Sequence, residues 1–325
     1  MQSKLIILMG MPRSGTSWLG KIFDSHPDTL YRHEPDSSQH IGGVPLFADI
    51  ALTDQYRDTI TDVVDRLRGA WRSNVAATLP VFPKSYYAYP QLALRKFSIL
   101  ATKIGARVLG ELPVPEVVDL RRVPQLLPVW KSIESVGRLG VLCRSLPASR
   151  AILIMRHPCG YVASVLRGEA KGKFVSSTPS HEDFGVYAKM MEIPQARAHG
   201  LNLDRIRRMQ PVERLAWRWV LFNEKAMDDV AGLLNCSSVC YEDLCRDPIT
   251  QAGKLFAFSG LAWNEQTEAF IRQSTASNNA SYYSIYKDPQ KSANQWKTDL
   301  AGGDIERVLS VIRDTEPGRL YAGRH

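Results

Sequence analysis

The sequence predicts an α/β fold of three layers, with a mostly parallel central sheet flanked by helices. Three observations lead there. Short apolar runs alternate with longer helical periods along the 325 residues, the pattern of strands joined by crossover helices. Leu5–Met9 reads as a buried strand that stops at a glycine turn. Ala151–Met155 repeats the device and stops at Arg156-His157-Pro158.

The remaining elements follow in order. From Thr16 to Ser25 the period places Trp18, Leu19, Ile22 and Phe23 on one helical face, and His26-Pro27 ends the run. Thr29–Arg32 is short and extended, with Glu34-Pro35 just beyond. Asp54 to Arg72 reads as a helix through Ile60, Val63, Val64, Leu67 and Trp71, and Pro80 to Pro90 as a connector. Pro158 suits the first turn of a helix running to about Arg167. Residues 168–210 lack a steady period and read as a mobile excursion. Val212–Val230 is a long helix with Trp219 in the core, Ser237–Tyr241 is a strand, and Pro248 opens another helix. Ile305, Val308, Leu309 and Ile312 mark the last helix. No repeat or low-complexity tract interrupts the chain, so residues 1–325 read as a single domain.

Composition narrows the class. Lys and Arg outnumber Asp and Glu by 41 to 33, a formal charge of +8, which favours a polyanionic ligand. The basic residues are diffuse, with no run of five and no RNA-binding signature, which points away from nucleic acid. The apolar start, Leu5 to Met9, is shorter than the roughly 7–15 residues of a secretory core or the about 20 of a membrane span. No membrane segment follows, and a cytoplasmic location is expected. The five cysteines, Cys143, Cys159, Cys236, Cys240 and Cys245, are odd in number and match no zinc spacing. Pro27 and Pro35 break the seven-residue series His26, His33 and His40, so no metal site is expected there either.

Gly10-Met11-Pro12-Arg13-Ser14-Gly15-Thr16-Ser17 follows the first strand. It fits the nucleotide-binding pattern G-x-x-x-x-G-K-[ST] except that Thr16 stands where the lysine belongs. A strand, a glycine turn and a helix let backbone N–H groups converge on an anion. Arg13 adds a forked cation, and Ser14, Thr16 and Ser17 add hydroxyls. A kinase or NTPase also needs an Asp closing a second strand to hold Mg²⁺, but that strand ends in Arg156. The cradle therefore points to phosphate chemistry without a metal.

These residues resemble the sulfotransferases that use 3′-phosphoadenosine 5′-phosphosulfate (PAPS). Pro12-Arg13-Ser14-Gly15-Thr16-Ser17-Trp18 fits that family's 5′-phosphosulfate loop, P-[KR]-S-G-T-[ST]-W, throughout. Arg156 and Ser164, eight positions apart, fit the pair that holds the 3′-phosphate. Tyr241-Glu242-Asp243-Leu244 with Pro248 is similar to the segment whose Tyr lies near the adenine. Lys291 and Trp296-Lys297 resemble a degenerate form of the loop that closes over the donor. The resemblance implies a P-loop-like fold, PAPS as donor with the 3′,5′-bisphosphate PAP as product, and no metal. It also implies that Trp18 stacks on the adenine, although its place on an apolar helical face fits a core role equally.

The acceptor side departs from the cytosolic branch, which carries Lys-x-His in mid-chain. Lys131-Ser132-Ile133 keeps the lysine and replaces the histidine. That branch's dimerisation motif is also unrecognisable, which leaves the oligomeric state open. Glycan- and tyrosine-directed branches use a Glu soon after the first helix, and Glu34 resembles it, with His33 as the second candidate base. A plainer role for Glu34 is an ion pair with Arg32 or a cap. The expected function is in-line, metal-independent sulfuryl transfer to a hydroxyl, or an amine, of a small-molecule or glycan acceptor. Arg13 and Lys131 would stabilise charge and Glu34 would act as base. Irregular excursions at about 36–90 and 168–210 would face the acceptor. A P-loop-type kinase and a non-catalytic nucleotide-binding protein are the alternatives.

Overall fold

The structure, a computed structural model, describes residues 4–38, 41–69, 71–110, 112–172, 178–276, 285–286 and 288–323. His40 lies outside them. Five parallel strands form the central sheet: β1 (Ile6–Met9), β2 (Thr29–His33), β3 (Leu127–Ser132), β4 (Arg150–Met155) and β5 (Cys236–Cys240). Their spatial order is β2-β3-β1-β4-β5. The chain leaves β1 toward one edge, returns through β3, and crosses over β1 to β4. Its reversal point lies at the carboxyl end of β1, where ligands of open α/β sheets bind.

Residue alternation explains the layers. Leu5, Ile7 and Met9 enter the larger core with Ala151, Leu153 and Met155, while Ile6, Leu8, Ile152 and Ile154 enter the smaller one. A strand buried on both faces has to be apolar throughout, as these are. The smaller core packs α1 (Thr16–Asp24) and two later helices, Pro248–Ser259 and Glu265–Ala276, on one face. The larger core contains residues of α2 (Thr53–Arg66). Its other helices include Leu139–Ser145, Pro158–Ala170, Pro211–Val230 and Gly302–Ile312. Between α2 and β3 lies α3 (Tyr89–Leu109), a 21-residue helix.

Three expectations need correction. The helix expected through Trp71 stops at Arg66, and Trp71–Arg72 pairs antiparallel with Pro113–Val114. Tyr241 begins a helix, Tyr241–Arg246, instead of closing β5. The described part of the 168–210 segment is packed. Short helices Phe184–Met190, Pro194–Ala198 and Leu203–Arg208 bury Tyr187, Met190, Ala196 and Ile206 in the larger core. Asp183 and Asn202 cap the first and last of these, which is how a segment with no sustained period stays ordered. Among the described residues no helix is long and apolar enough to cross a membrane.

Candidate active site

The glycine loop sits between β1 and α1. Gly15 is the N-cap of α1 at φ 89°, and no side chain caps the helix. The opening N–H groups therefore have no side-chain acceptor, as an anion site requires. A β-carbon on Gly15 would stand 2.3 Å from the Tyr241 ring, and one on Gly10 2.4 Å from the Ile154 carbonyl oxygen. The loop is thus clamped between β4 and Tyr241. Ser14 and Thr16 are buried, and Ser17 is exposed. Trp18 is buried in the smaller core, where its indole N–H donates to Ser274 Oγ at 3.1 Å.

Arg13 and Arg156 meet above this loop. Arg13 Nε donates to Ser164 Oγ at 3.0 Å, and Arg156 Nη1 donates to the Arg13 carbonyl at 3.0 Å. Arg156 Nη2 donates to the Ser292 carbonyl at 2.7 Å, and its guanidinium lies 4.9 Å from the Tyr241 ring centroid. Arg156 is 7% exposed, yet its Nε is buried without a hydrogen-bond partner among the described residues. An orphaned guanidinium N–H is costly unless a ligand satisfies it. The corner is built firmly: Trp219 Nε1 donates to the Arg156 carbonyl, and the His157 backbone N–H donates to Glu242. The Trp296 ring stacks on His157 at 4.5 Å with 5° between planes. Lys291 and Lys297 flank it, both exposed.

Glu34 follows β2, and Lys131 lies in β3 between β2 and β1. The Glu34 backbone N–H donates to the Lys131 carbonyl at 2.8 Å, and the Lys131 ammonium donates to the Glu34 carboxylate. Arg32 is not the partner of Glu34; it donates to the carbonyls of Leu67 and Gly69 and pairs with Glu116 at 3.0 Å. Lys131 is 1% exposed; burial pulls its ammonium below the usual range and Glu34 pushes it back. His33 Nε2 lies 3.6 Å from Glu34, and its Nδ1 lies 2.8 Å from the Tyr31 hydroxyl. Burial, then Lys131 and Lys21, hold His33 well below its ordinary 6.5, so it is neutral at pH 7. Tyr31 is pushed well above its usual range by burial and then by Asp24 and Glu34. A phenol that stays protonated can donate to Nδ1, which puts the His33 proton on Nε2, toward Glu34.

Arg13 and Glu34 are the two non-glycine residues with positive φ among the described residues, at 74° and 50°. Such backbone costs about 1–3 kcal/mol and gathers at functional sites. A cavity of about 390 Å³ opens beside Glu34 and His33, walled by Ser37, Ser73, Asn74, Thr78 and Lys103. None of these wall residues is visible as a motif, because they come from three separate segments. Asp36 was also hidden. Its buried carboxylate accepts from Trp130 Nε1 at 3.3 Å, from Ser135 Oγ at 2.6 Å and from Ser132 Oγ, pinning the chain after Glu34 against β3. No group of His, Cys, Asp and Glu able to hold a metal occurs among the described residues.

A model of the sulfotransferase family matches residues 6–265. The chain belongs to the sulfotransferase family. The match spans the loop, Glu34, Lys131, Arg156, Ser164 and Tyr241. No curated protein sequence matches this sulfotransferase. Solved structures similar to it include the sulfotransferase domain from the curacin biosynthetic pathway, 15% identical, covering 96% of this chain and 98% of that one at a TM-score of 0.47. The sulfotransferase domain of the Synechococcus PCC 7002 olefin synthase is 14% identical, covering 95% of each chain at 0.46. A mouse sulfotransferase complexed with PAP is 12% identical, covering 98% of this chain and 88% of that one, also at 0.46.

Proposed function

We propose that this sulfotransferase moves a sulfuryl group from PAPS to a hydroxyl, or an amine, of a small-molecule or glycan acceptor. The observation that carries the donor assignment is the Arg13, Arg156 and Ser164 cluster beside the uncapped start of α1, with Arg156 Nε buried and unsatisfied among the described residues. Two guanidinium groups and a helix N-terminus suit a ligand with phosphate at two places. The loop N–H groups and Arg13 hold the 5′-phosphosulfate, Arg156 and Ser164 the 3′-phosphate, and Tyr241 the adenine. Lys291, Trp296 and Lys297 belong to the segment that closes over the donor. The Trp18–Ser274 hydrogen bond favours a packing role for Trp18 over adenine stacking.

The donor supplies a sulfuryl group activated by its anhydride bond to phosphate. The chain supplies position and charge. Lys131, next to Glu34, neutralises charge on the moving group. Glu34 faces the cavity and accepts the proton of the acceptor hydroxyl. His33 is the weaker candidate base, since Tyr31 occupies Nδ1 and burial disfavours its charged form. The cavity walls, drawn from the 36–90 excursion and α3, select the acceptor.

An acceptor panel with labelled PAPS, with and without EDTA, tests the reading. Labelled product that survives EDTA supports it. Mg²⁺-dependent nucleotide turnover would favour a kinase, and tight PAP binding without any product would favour a non-catalytic protein.

A further inference from the structure

Helix α3 is inverted relative to the molecule that carries it. Its inward side bears Arg95, Ile99 and Thr102, all buried. Arg95 donates to the carbonyls of Pro115 and Ala76 and pairs with Glu116 at 3.3 Å, and Ile99 packs with Ala77 and Val114, so the inward side is held by one ion pair and a small apolar cluster. Its outward side bears Leu94, Phe97, Leu100, Ile104 and Val108, between 55% and 84% exposed. At about 100° per residue these five fall within an arc of roughly 120°, shared only with Pro90, Ala93 and Ala101. Folded monomers rarely leave so continuous a large apolar surface in water.

Charge selects what covers it. The helix contains Arg95, Lys96, Lys103 and Arg107 and no Asp or Glu. Lys96 and Lys103 lie along one edge of the apolar arc, Lys96 exposed and Lys103 half-buried at the cavity wall. Two copies paired antiparallel about a two-fold axis would set these basic edges side by side, with no helix acid to offset them. An anionic bilayer answers both features, with an acyl boundary for the arc and negative headgroups for the edge.

We propose that α3 is a docking surface for an anionic lipid bilayer, lying in the interface with Leu94, Phe97, Leu100, Ile104 and Val108 inserted and Lys96 among the headgroups. The helix would lie along about 32 Å of membrane surface. Because Lys103 also walls the cavity, docking brings the cavity beside the headgroup layer. The inference does not depend on the identity of the sulfuryl donor or acceptor.

Co-sedimentation of the full chain with vesicles of phosphatidylcholine, alone or mixed with phosphatidylglycerol, tests it. Binding to the mixed vesicles is expected, weaker by about ten-fold or more on phosphatidylcholine alone and reduced by salt. The double variant Phe97→Ser/Ile104→Ser should lose at least about ten-fold in vesicle binding, with an unchanged circular-dichroism melt because both positions are exposed. Lys96→Glu, which alters no packing, should remove the preference for phosphatidylglycerol and serves if the double variant does not fold. Failure to sediment with the mixed vesicles would overturn the proposal, as would wild-type sedimentation by the variants. A dimer in light scattering that Phe97→Ser/Ile104→Ser converts to monomer would overturn it in favour of a second copy.

Discussion

The Lys131 ammonium donates to the carboxylate of Glu34, joining the end of β3 to the residue after β2 at the mouth of the cavity. The strand order places β2 two positions from β1, roughly 10 Å at the usual strand spacing. Lys131 lies in the strand between, paired with the strand that leads into the loop. In the proposed reaction this carboxylate would release its lysine to the transferring group while taking the acceptor's proton. Glu34→Gln is expected to lower turnover by about 10²–10⁴-fold while leaving PAP affinity unchanged. Initial-rate kinetics together with calorimetric PAP titration separate the two; wild-type turnover in the variant would remove Glu34 from the reaction.

Arg156→Ala should weaken PAP binding by roughly ten- to a hundred-fold, the range for losing a charge-assisted hydrogen bond. Isothermal titration measures it. The 3′-phosphate specificity of the effect is checked with adenosine 5′-phosphate, whose affinity the substitution should barely change. Equal losses for both ligands would place Arg156 in general loop support instead.

Gly15→Ala tests the clamp on the loop. The new methyl meets Tyr241 at 2.3 Å, and the residue must hold φ near 89°. The expected cost is about 1–3 kcal/mol of stability with loss of PAP binding. Adding Tyr241→Ala should recover stability only in part, because it relieves the contact and not the backbone. Thermal melts of the single and double variants decide this.

Asp36→Ala strips the shared acceptor from Trp130, Ser132 and Ser135. Stability should fall by about 2–4 kcal/mol, as expected when buried donors lose a charged partner. Urea midpoints report the change. Turnover should fall as well, because Asp36 positions the segment that carries Glu34.

The pH dependence has a definite sign. His33 is held well below 6.5 by burial and then by Lys131 and Lys21, and His26 is held below it by burial. The unfolded chain therefore takes up protons at these sites near pH 6.5 while the folded chain does not. Stability is full above about pH 6.5 and declines as pH falls from there toward the lower folded-state values. His33→Gln should flatten that decline in urea unfolding measured between neutral and acid pH. An unaltered slope would assign the decline to other groups.

The sequence by itself determined where the glycine loop and the Arg156–Ser164 corner stand in the fold of this protein. A strand, a glycine turn and a helix start are contiguous, so Gly10, Arg13, Gly15 and Thr16 carry their geometry in their spacing. Arg156 and Ser164 are likewise joined by one strand end and the helix that follows. Strands β1 and β4 were legible because burial on both faces demands unbroken apolar runs. Strand β3 was not, since Pro128 and the buried Lys131 contradict that pattern until Glu34 arrives from 97 residues away to neutralise the lysine. Helix α3 carries a helical period through Leu94, Phe97, Leu100, Ile104 and Val108, but only the tertiary structure leaves that face in solvent. Tertiary structure alone decided that Glu34 pairs with Lys131 and not Arg32, that Asp36 anchors the acid's segment, and that Trp18 bonds Ser274. Each of those contacts joins side chains whose separation along the chain carries no local signal; the Glu34 and Asp36 contacts depend on the sheet order that sets β3 beside β2, and the Trp18 contact on the packing of α1 against a later helix.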